Sequence, residues 1–349
     1  MGPSPAIRKI DYKVTAGGLT MSTGADNAAA LLSLRVERGM DGGPGQACLR
    51  LHPFDLSLPS PGDPLKVELD GGEGMFTVFT GTLLQVRSSA QGLELLATDS
   101  LSGAAQQEVV GIFEEQSAGA IIQDILGKTG GKAGEVEEGP VFGRLVLHRG
   151  LRALQHLRGL ARLSGLDFWT DGEGKVMVKA PKVAAAKQTL TWGEGLLELD
   201  LCRAAPAPDG WELWGEGAAG SAGKEKAHWL AADLSGVSGK ASVKLEKGSF
   251  TVEEGSAGKM PKHLSSGLLR SGEVAESLAK AQAQARAGRP VRGHLELTGA
   301  PDLEPGMAVA VAGLPDGHAA TGLCKDPLRI RRIQHRLDAD GGYMTRLVL

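Results

Sequence analysis

A chain of 349 residues with 42% apolar content has the material for two or three domains with real cores. Its 38 Lys and Arg stand against 41 Asp and Glu, and a net charge of −3 gives no support for wrapping nucleic acid on a basic surface. The 51 glycines and 4% aromatics point to many turns between many short strands.

The opening stretch, MGPSPAIRKIDYKV, has no apolar run of signal-peptide type, and no segment approaches the ~18 apolar residues of a membrane span. The expectation is a protein made soluble that stays in the compartment of its synthesis unless a carrier takes it out. From 1 to about 100 the pattern alternates at period two: Ile10 to Val14, Leu32 to Val36, Ala47 to Leu51, then Leu65-Val67-Leu69 before a Gly-rich turn. MFTVFTGTLLQVRSSAQGLELLATD adds two or three strands with turns at Ser88–Gly92. Such close spacing suggests a sandwich or barrel.

After Ser100 the period changes. Ser117 can cap a helix whose Ile121, Ile122, Ile125 and Leu126 share a face, with Gly127 as its stop. A second helix, GLRALQHLRGLARLSG, gathers Leu151, Leu154, Leu157, Leu160 and Leu163 on one arc, Arg152, Gln155, Arg158 and Arg162 on the other, and His156 at the margin. GLDFWTDGEGKVMVKAP then reads as a hairpin turning at Asp171–Gly174.

From 190 the β pattern returns in LLELDLCRA and GWELWGEG. Residues 217–270 are rich in Gly, Ser, Lys and Glu, with weak strands at Val243–Leu245 and Phe250–Val252. A helix follows from a Ser271 cap to a Gly288 stop; its apolar positions are mostly alanine, so it either packs very closely or is partly solvated. Strands at Val291–Leu297, Met307–Leu314, Leu328–Leu337 and Tyr343–Leu349 complete the chain, which makes the C-terminus structural. In PDLEPGMAVAVAGL one face is large and apolar, the other small and apolar, so this strand has no polar side.

Few residues suggest chemistry. GEGAAG, Gly215 to Gly220, matches a dinucleotide fingerprint formally, but no helix opens there and no βαβ unit surrounds it, so a hairpin loop is the reading. GKT at Gly127–Thr129 lacks the earlier P-loop glycine and is a helix terminus; no G-x-S-x-G occurs. The eight histidines, including His148, His156 and His335, have no zinc spacing among themselves or with cysteines. Cys48, Cys202 and Cys324 are far apart and odd in number, as expected for reduced, mostly buried thiols. The acid pairs Glu114-Glu115 and Glu137-Glu138 sit in polar, Gly-flanked stretches without aromatics to stack a sugar. LRIRRIQHR, 328 to 336, is the strongest basic cluster: on a strand Arg329 and Arg331 share a face and Arg332 takes the other, as a solvated or interface face or as a contact with passing nucleic acid. No catalytic, cofactor or metal residue is assigned.

The order of segments resembles the phage late control protein D family, the baseplate hubs of contractile tails, related to the N-terminal hub part of VgrG spike proteins. The resemblance rests on VFTGTLLQV followed by LATDSLSGAAQQ, on the helix leading into GLDFWTDGEGKV, and on Gly299, Leu303, Pro305-Gly306, His335, Gly342-Tyr343 and Thr345. Pro327-Leu328 stands where the family has a glycine and an aromatic, and 315–327 reads as a lengthened loop. The resemblance implies an α+β, mainly β fold. Residues 1–100 form a first tube-type β-barrel, 101–189 an α/β domain, 190–216 with 289–349 a second, discontinuous barrel, and 217–288 an insert with strands and one Ala-rich helix.

It also implies a non-enzymatic homotrimer that adapts a hexameric tail tube to a separate spike protein, beside other baseplate and tape-measure proteins. DNA or an effector would pass through its lumen. Its place is the tail baseplate of a virion or injection particle, after synthesis in the bacterial cytoplasm, with no cofactor and no stable membrane association. On this expectation the chain stops where VgrG proteins continue, and the unpolar strand 301–314 is covered by its barrel and by a helix or neighbouring protomer. Two other classes stand against it. A tail-associated peptidoglycan hydrolase needs an acid pair or metal triad in an extra domain. A receptor- or carbohydrate-binding module needs exposed aromatics, and there are only five Trp, two Tyr and seven Phe.

Overall fold

The computed structural model describes residues 10–26, 30–40, 43–52, 58–182, 184–215, 237–246 and 249–349. The loop 217–226 and most of GEGAAG lie outside them. The fold is α+β and mainly β, organised on one long antiparallel sheet.

Seven strands come from the first hundred residues: β1 (Asp11–Ala16), β2 (Leu19–Ser22), β3 (Leu31–Gly39), β4 (Gln46–Leu51), β5 (Pro64–Asp70), β6 (Met75–Ser89) and β7 (Gly92–Thr98). The alternation read in the sequence decides which side is buried. Ala47, Leu49 and Leu51 of β4, Leu65, Val67 and Leu69 of β5, and Leu93, Leu95 and Ala97 of β7 all turn into one core. Cys48 therefore points out, and it and Cys202 are exposed while Cys324 is half-buried. The expectation of mostly buried thiols fails because strand register, not thiol hydrophobicity, sets their side.

The middle of the chain carries α1 (Ser102–Gln106), β8 (Gly111–Ser117), α2 (Ala118–Lys128), β9 (Lys132–Val136), β10 (Val141–Leu147), α3 (Ala153–Leu163), β11 (Asp167–Thr170) and β12 (Lys175–Lys179). Ser117 accepts from the Ala120 N–H as the α2 cap. The helix passes through Gly127, and the left-handed residue beyond its end is Gly130, at φ +74°. β13 (Gln188–Thr191) and β14 (Leu196–Cys202) are followed by a four-stranded sheet of β15 (Gly210–Gly215), β16 (Ser238–Glu246), β17 (Ser249–Glu254) and β18 (Pro261–Ser266). β15, grouped by sequence with 190–209, thus hydrogen-bonds to β16 and β18.

α4 (Gly272–Ala287), capped by Ser271, lies across that sheet. Its alanines are the close-packing kind: Ala275, Ala279 and Ala283 are buried, and a Cβ on Gly239 of β16 would lie 2.1 Å from the Ala275 carbonyl carbon. One continuous core joins α2, α3 and β11–β12 with β15, β16 and α4.

The last strands are β19 (Arg292–Thr298), β20 (Ala308–Ala312), β21 (Leu328–Arg329), β22 (Arg332–Asp338) and β23 (Gly342–Val348). The expected single strand 328–337 is two strands, because the chain changes partners at Ile330-Arg331. β21 pairs with β20, whereas β22 lies between β23 and β3. In β20, Ala308 and Val309 are buried, Ala310 and Val311 half-buried, and Ala312 exposed.

The antiparallel pairing of β22 with β3, from Arg332 opposite Gly39 to Asp338 opposite Ser33, fuses the two ends of the chain. The result is an eleven-stranded sheet in the order β14-β19-β23-β22-β3-β4-β7-β6-β5-β1-β2. Its two ends cover separate cores, the first from β1–β7 and the second from β14, β19–β23 and their turns. Tyr343 of β23 packs in the first core and Leu347 in the second.

Candidate functional site

Where the three cores meet, inward register positions carry polar side chains. On β3 the inward series Leu34, Val36, Arg38 ends in an arginine with 1% of its surface exposed. Arg38 Nη1 donates to the Thr170 carbonyl at 3.2 Å and lies 3.4 Å from Glu304 Oε1, which also accepts from the Gly172 N–H. Asp99, just past β7, accepts from the N–H groups of Gly45 and Leu101 and from the Thr170 hydroxyl. Burial raises the Asp99 carboxyl above its ordinary value despite these donors. This junction thus ties the first strands, the β11–β12 hairpin and the turn before β20 together.

Beside it, Asp167 at the start of β11 receives Arg329, Arg331 at 3.2 Å and Arg289 at 3.1 Å. Burial alone would raise the Asp167 carboxyl, but the three guanidinium charges outweigh it and hold it below the usual carboxylate value. The sequence reading that Arg329 and Arg331 share a face holds, and Arg332 on the other face pairs with Glu37 at 3.1 Å. Their face is turned inward onto Asp167 rather than to solvent. No spacing motif marks Asp167, Arg38 or Arg289, because their partners lie more than a hundred residues away. For Arg38 and Asp167 the signal available was a charge at an inward strand position, and Arg289, between α4 and β19, had none.

The third polar group is His335 with Tyr343 and Thr345, paired across β22–β23. His335 Nδ1 lies 2.9 Å from Tyr343 Oη and 3.2 Å from Thr345 Oγ1, and Thr345 accepts from the Ala300 N–H. Burial, with a smaller contribution from Arg38, pushes the imidazole down to about 3. It stays neutral, and its Nε2 has no hydrogen-bond partner among the described residues. Gly299 is required here: a Cβ on it would lie 2.0 Å from the Tyr343 ring.

The remaining candidates are placed singly. The rings of His148 and His156 meet edge-on at 5.9 Å. Glu114 reaches Arg144 at 3.8 Å, Glu137 accepts from the Ala180 N–H and Glu138 from Ser117. Lys128 and Thr129 finish α2, Thr129 donating to the Ile125 carbonyl at 2.9 Å. Among the described residues no group of three or more His, Cys, Asp or Glu could hold a metal ion, and no helix is long and apolar enough to cross a membrane.

Two surface features suit contact with other chains. The end strands of the long sheet, β14 and β2, each pair with one neighbouring strand among the described residues, which leaves backbone groups for further pairing. The β8–β10 ribbon presents Ile112 and Val146 directly opposite each other, 62% and 49% exposed. Val110 and Val141 are exposed on the same ribbon.

No protein-family model matches this sequence, and neither does any curated protein. Solved structures do. The 43 kDa tail protein of prophage MuSo2 from Shewanella oneidensis superposes with a TM-score of 0.66 at 15% identity, over 98% of each chain. A tail protein from Neisseria meningitidis MC58 gives 0.62 at 15% identity, over 97% of this chain and 96% of that one. The E. coli c3393 protein is a component of the type VI secretion system with structural similarity to T4 bacteriophage tail proteins gp27 and gp5. It gives 0.53 at 11% identity, over 96% of this chain and 76% of its own. At these identities the likeness is one of fold, and it matches the baseplate-hub and VgrG-like resemblance read from the sequence.

Proposed function

We propose, from a fold shared end to end with phage tail proteins, that this chain is a structural baseplate hub of a contractile tail or tail-like injection system. It acts as a homotrimer that joins a hexameric tail tube to a separate spike, and it catalyses nothing. The observation that carries the reading is the full-length superposition on tail proteins. The sheet supports it physically. Two cores on one continuous sheet give each chain two tube-type units, so three chains present six to a hexameric ring. Open strand edges at β2 and β14 give neighbouring chains somewhere to pair.

On this reading 1–100 is the first tube-type unit, and 190–209 with 289–349 the second. Residues 101–189 and the insert decorate the ring, with 210–215 assigned to the insert because of its pairing. The particle is a virion or injection device, with DNA or an effector passing through the lumen.

The test is the mass of the purified protein and of the hub within particles. A trimer is expected; a monomer in assembled particles, or a hexamer with one unit per chain, would overturn the proposal. Muralytic or peptidase activity in the isolated chain, abolished by His148→Ala, His156→Ala or His335→Ala, would instead make it an enzyme.

A further inference from the structure

The chain is acidic overall, yet one cleft is strongly basic. A cavity of about 440 Å³ between α3, α4 and the β21–β22 connection is lined by Arg158, Arg162, Arg286, Arg289 and Arg331, with Asp167 as its one acid among the described residues. A second cavity of about 420 Å³, which shares Arg289 and Arg331, adds Arg203 and Arg329 against the single acid Asp326 among the described residues. Volumes of this size suit a ligand rather than a packing flaw.

Asp167 answers only part of this charge. Arg289, Arg329 and Arg331 all converge on it, which leaves the cluster with two positive charges in excess. The Nε atoms of Arg286, Arg289 and Arg329 are buried and have no hydrogen-bond partner among the described residues, so this charge sits where water screens it poorly. The crowding is visible in the cations themselves: burial and then the charge of Arg331 bring Arg289 down to about 10, and burial with Arg292 lowers Arg286. The cleft is thus short of anionic acceptors.

We propose that this cleft receives an acidic peptide segment of a partner protein, whose carboxylates answer the excess guanidinium charge of its lining. Guanidinium forks match carboxylate oxygens in pairs and gain most where water is excluded. The walls argue for a polypeptide over a phosphate group. Met40, Leu166, Phe168 and Trp211 also line the cleft, and they suit an apolar side chain between two acids. The inference needs no particular oligomeric state and stands whether or not the chain is a hub.

The experiment is calorimetric titration of the full chain with three probes: a hexapeptide of alternating glutamate and leucine, the same peptide with glutamine for glutamate, and inorganic triphosphate. The glutamate peptide is expected to bind, more weakly as salt rises, and the glutamine peptide not to bind. Arg162→Gln with Arg286→Gln should weaken binding about tenfold or more. Should that double variant fail to fold, the glutamate–glutamine contrast in the unaltered chain still decides. Equal binding of both peptides, binding unchanged in a folded double variant, or triphosphate displacing the peptide as the tighter ligand would each overturn the proposal, the last by making this a phosphate site.

Discussion

Arg38, Asp99, Asp167 and His335 are buried polar groups in or beside strands that otherwise carry apolar side chains, and each holds at least one polar partner on a neighbouring element. Removing one member is therefore worse than never having the group. Asp167→Asn, which leaves three arginines facing one another, should cost about 3–5 kcal/mol in denaturant unfolding. His335 has a pH signature. Its folded value, about 3, lies below the ordinary 6.5, so the unfolded chain binds the extra proton first. Stability is then complete above about pH 6.5 and falls by up to about 1.4 kcal/mol per unit as the pH is lowered. Asp99, raised by burial, works in the opposite sense above the ordinary carboxylate value, and the stabilisation from the depressed Asp167 is lost only below it. His335 therefore supplies a loss of stability from pH 6.5 to 5 that His335→Gln should remove. A slope unchanged in that variant would place the acid sensitivity elsewhere. The sequence singled out His335, Tyr343 and Thr345 and the shared face of Arg329 and Arg331, whereas Arg38, Asp99 and Asp167 pair with positions far apart in the chain.

Elements were far more legible, because their signals are local. Ser117 and Ser271 cap the helices that the hydrophobic spacing outlined, and Leu154, Leu157 and Leu160 of the leucine arc are buried, with Leu151 and Leu163 half-buried. What local pattern could not show was the partner of each strand: the change of sheet at Ile330-Arg331 and the pairing of β15 depend on distant segments. The same dependence sharpens two tests. Gly239→Ala would push a methyl into the α4 backbone, so it should cost about 1–3 kcal/mol by overpacking; a neutral outcome would mean that α4 does not lie this close. Deleting 343–349 removes β23, which hydrogen-bonds both β19 and β22 and places Tyr343 in one core and Leu347 in the other. With about 1.5–3 kcal/mol for each large apolar side chain and a typical stability of ~5–15 kcal/mol, both cores should fail together. Limited proteolysis checks this: a protected fragment of about the first hundred residues would show that the first core survives alone.

At the scale of the molecule, the sequence suggested two tube-type β-barrels, and the structure joins strands from both stretches of chain in one long antiparallel sheet. Heating should then melt both cores in a single transition, with calorimetric and van't Hoff enthalpies in agreement. Two resolved transitions would show that the β3–β22 seam carries little cooperativity. That seam also has a consequence in time. Its two strands lie about 290 residues apart, so at ~5–20 residues per second the ribosome finishes the second about 15–60 s after the first. Throughout that interval the open edge of β3 is an invitation to the wrong partner, and folding through such distant contacts is slow. Synthesis itself therefore times the fold: a truncated product keeps a bare edge, and only a finished chain can close it.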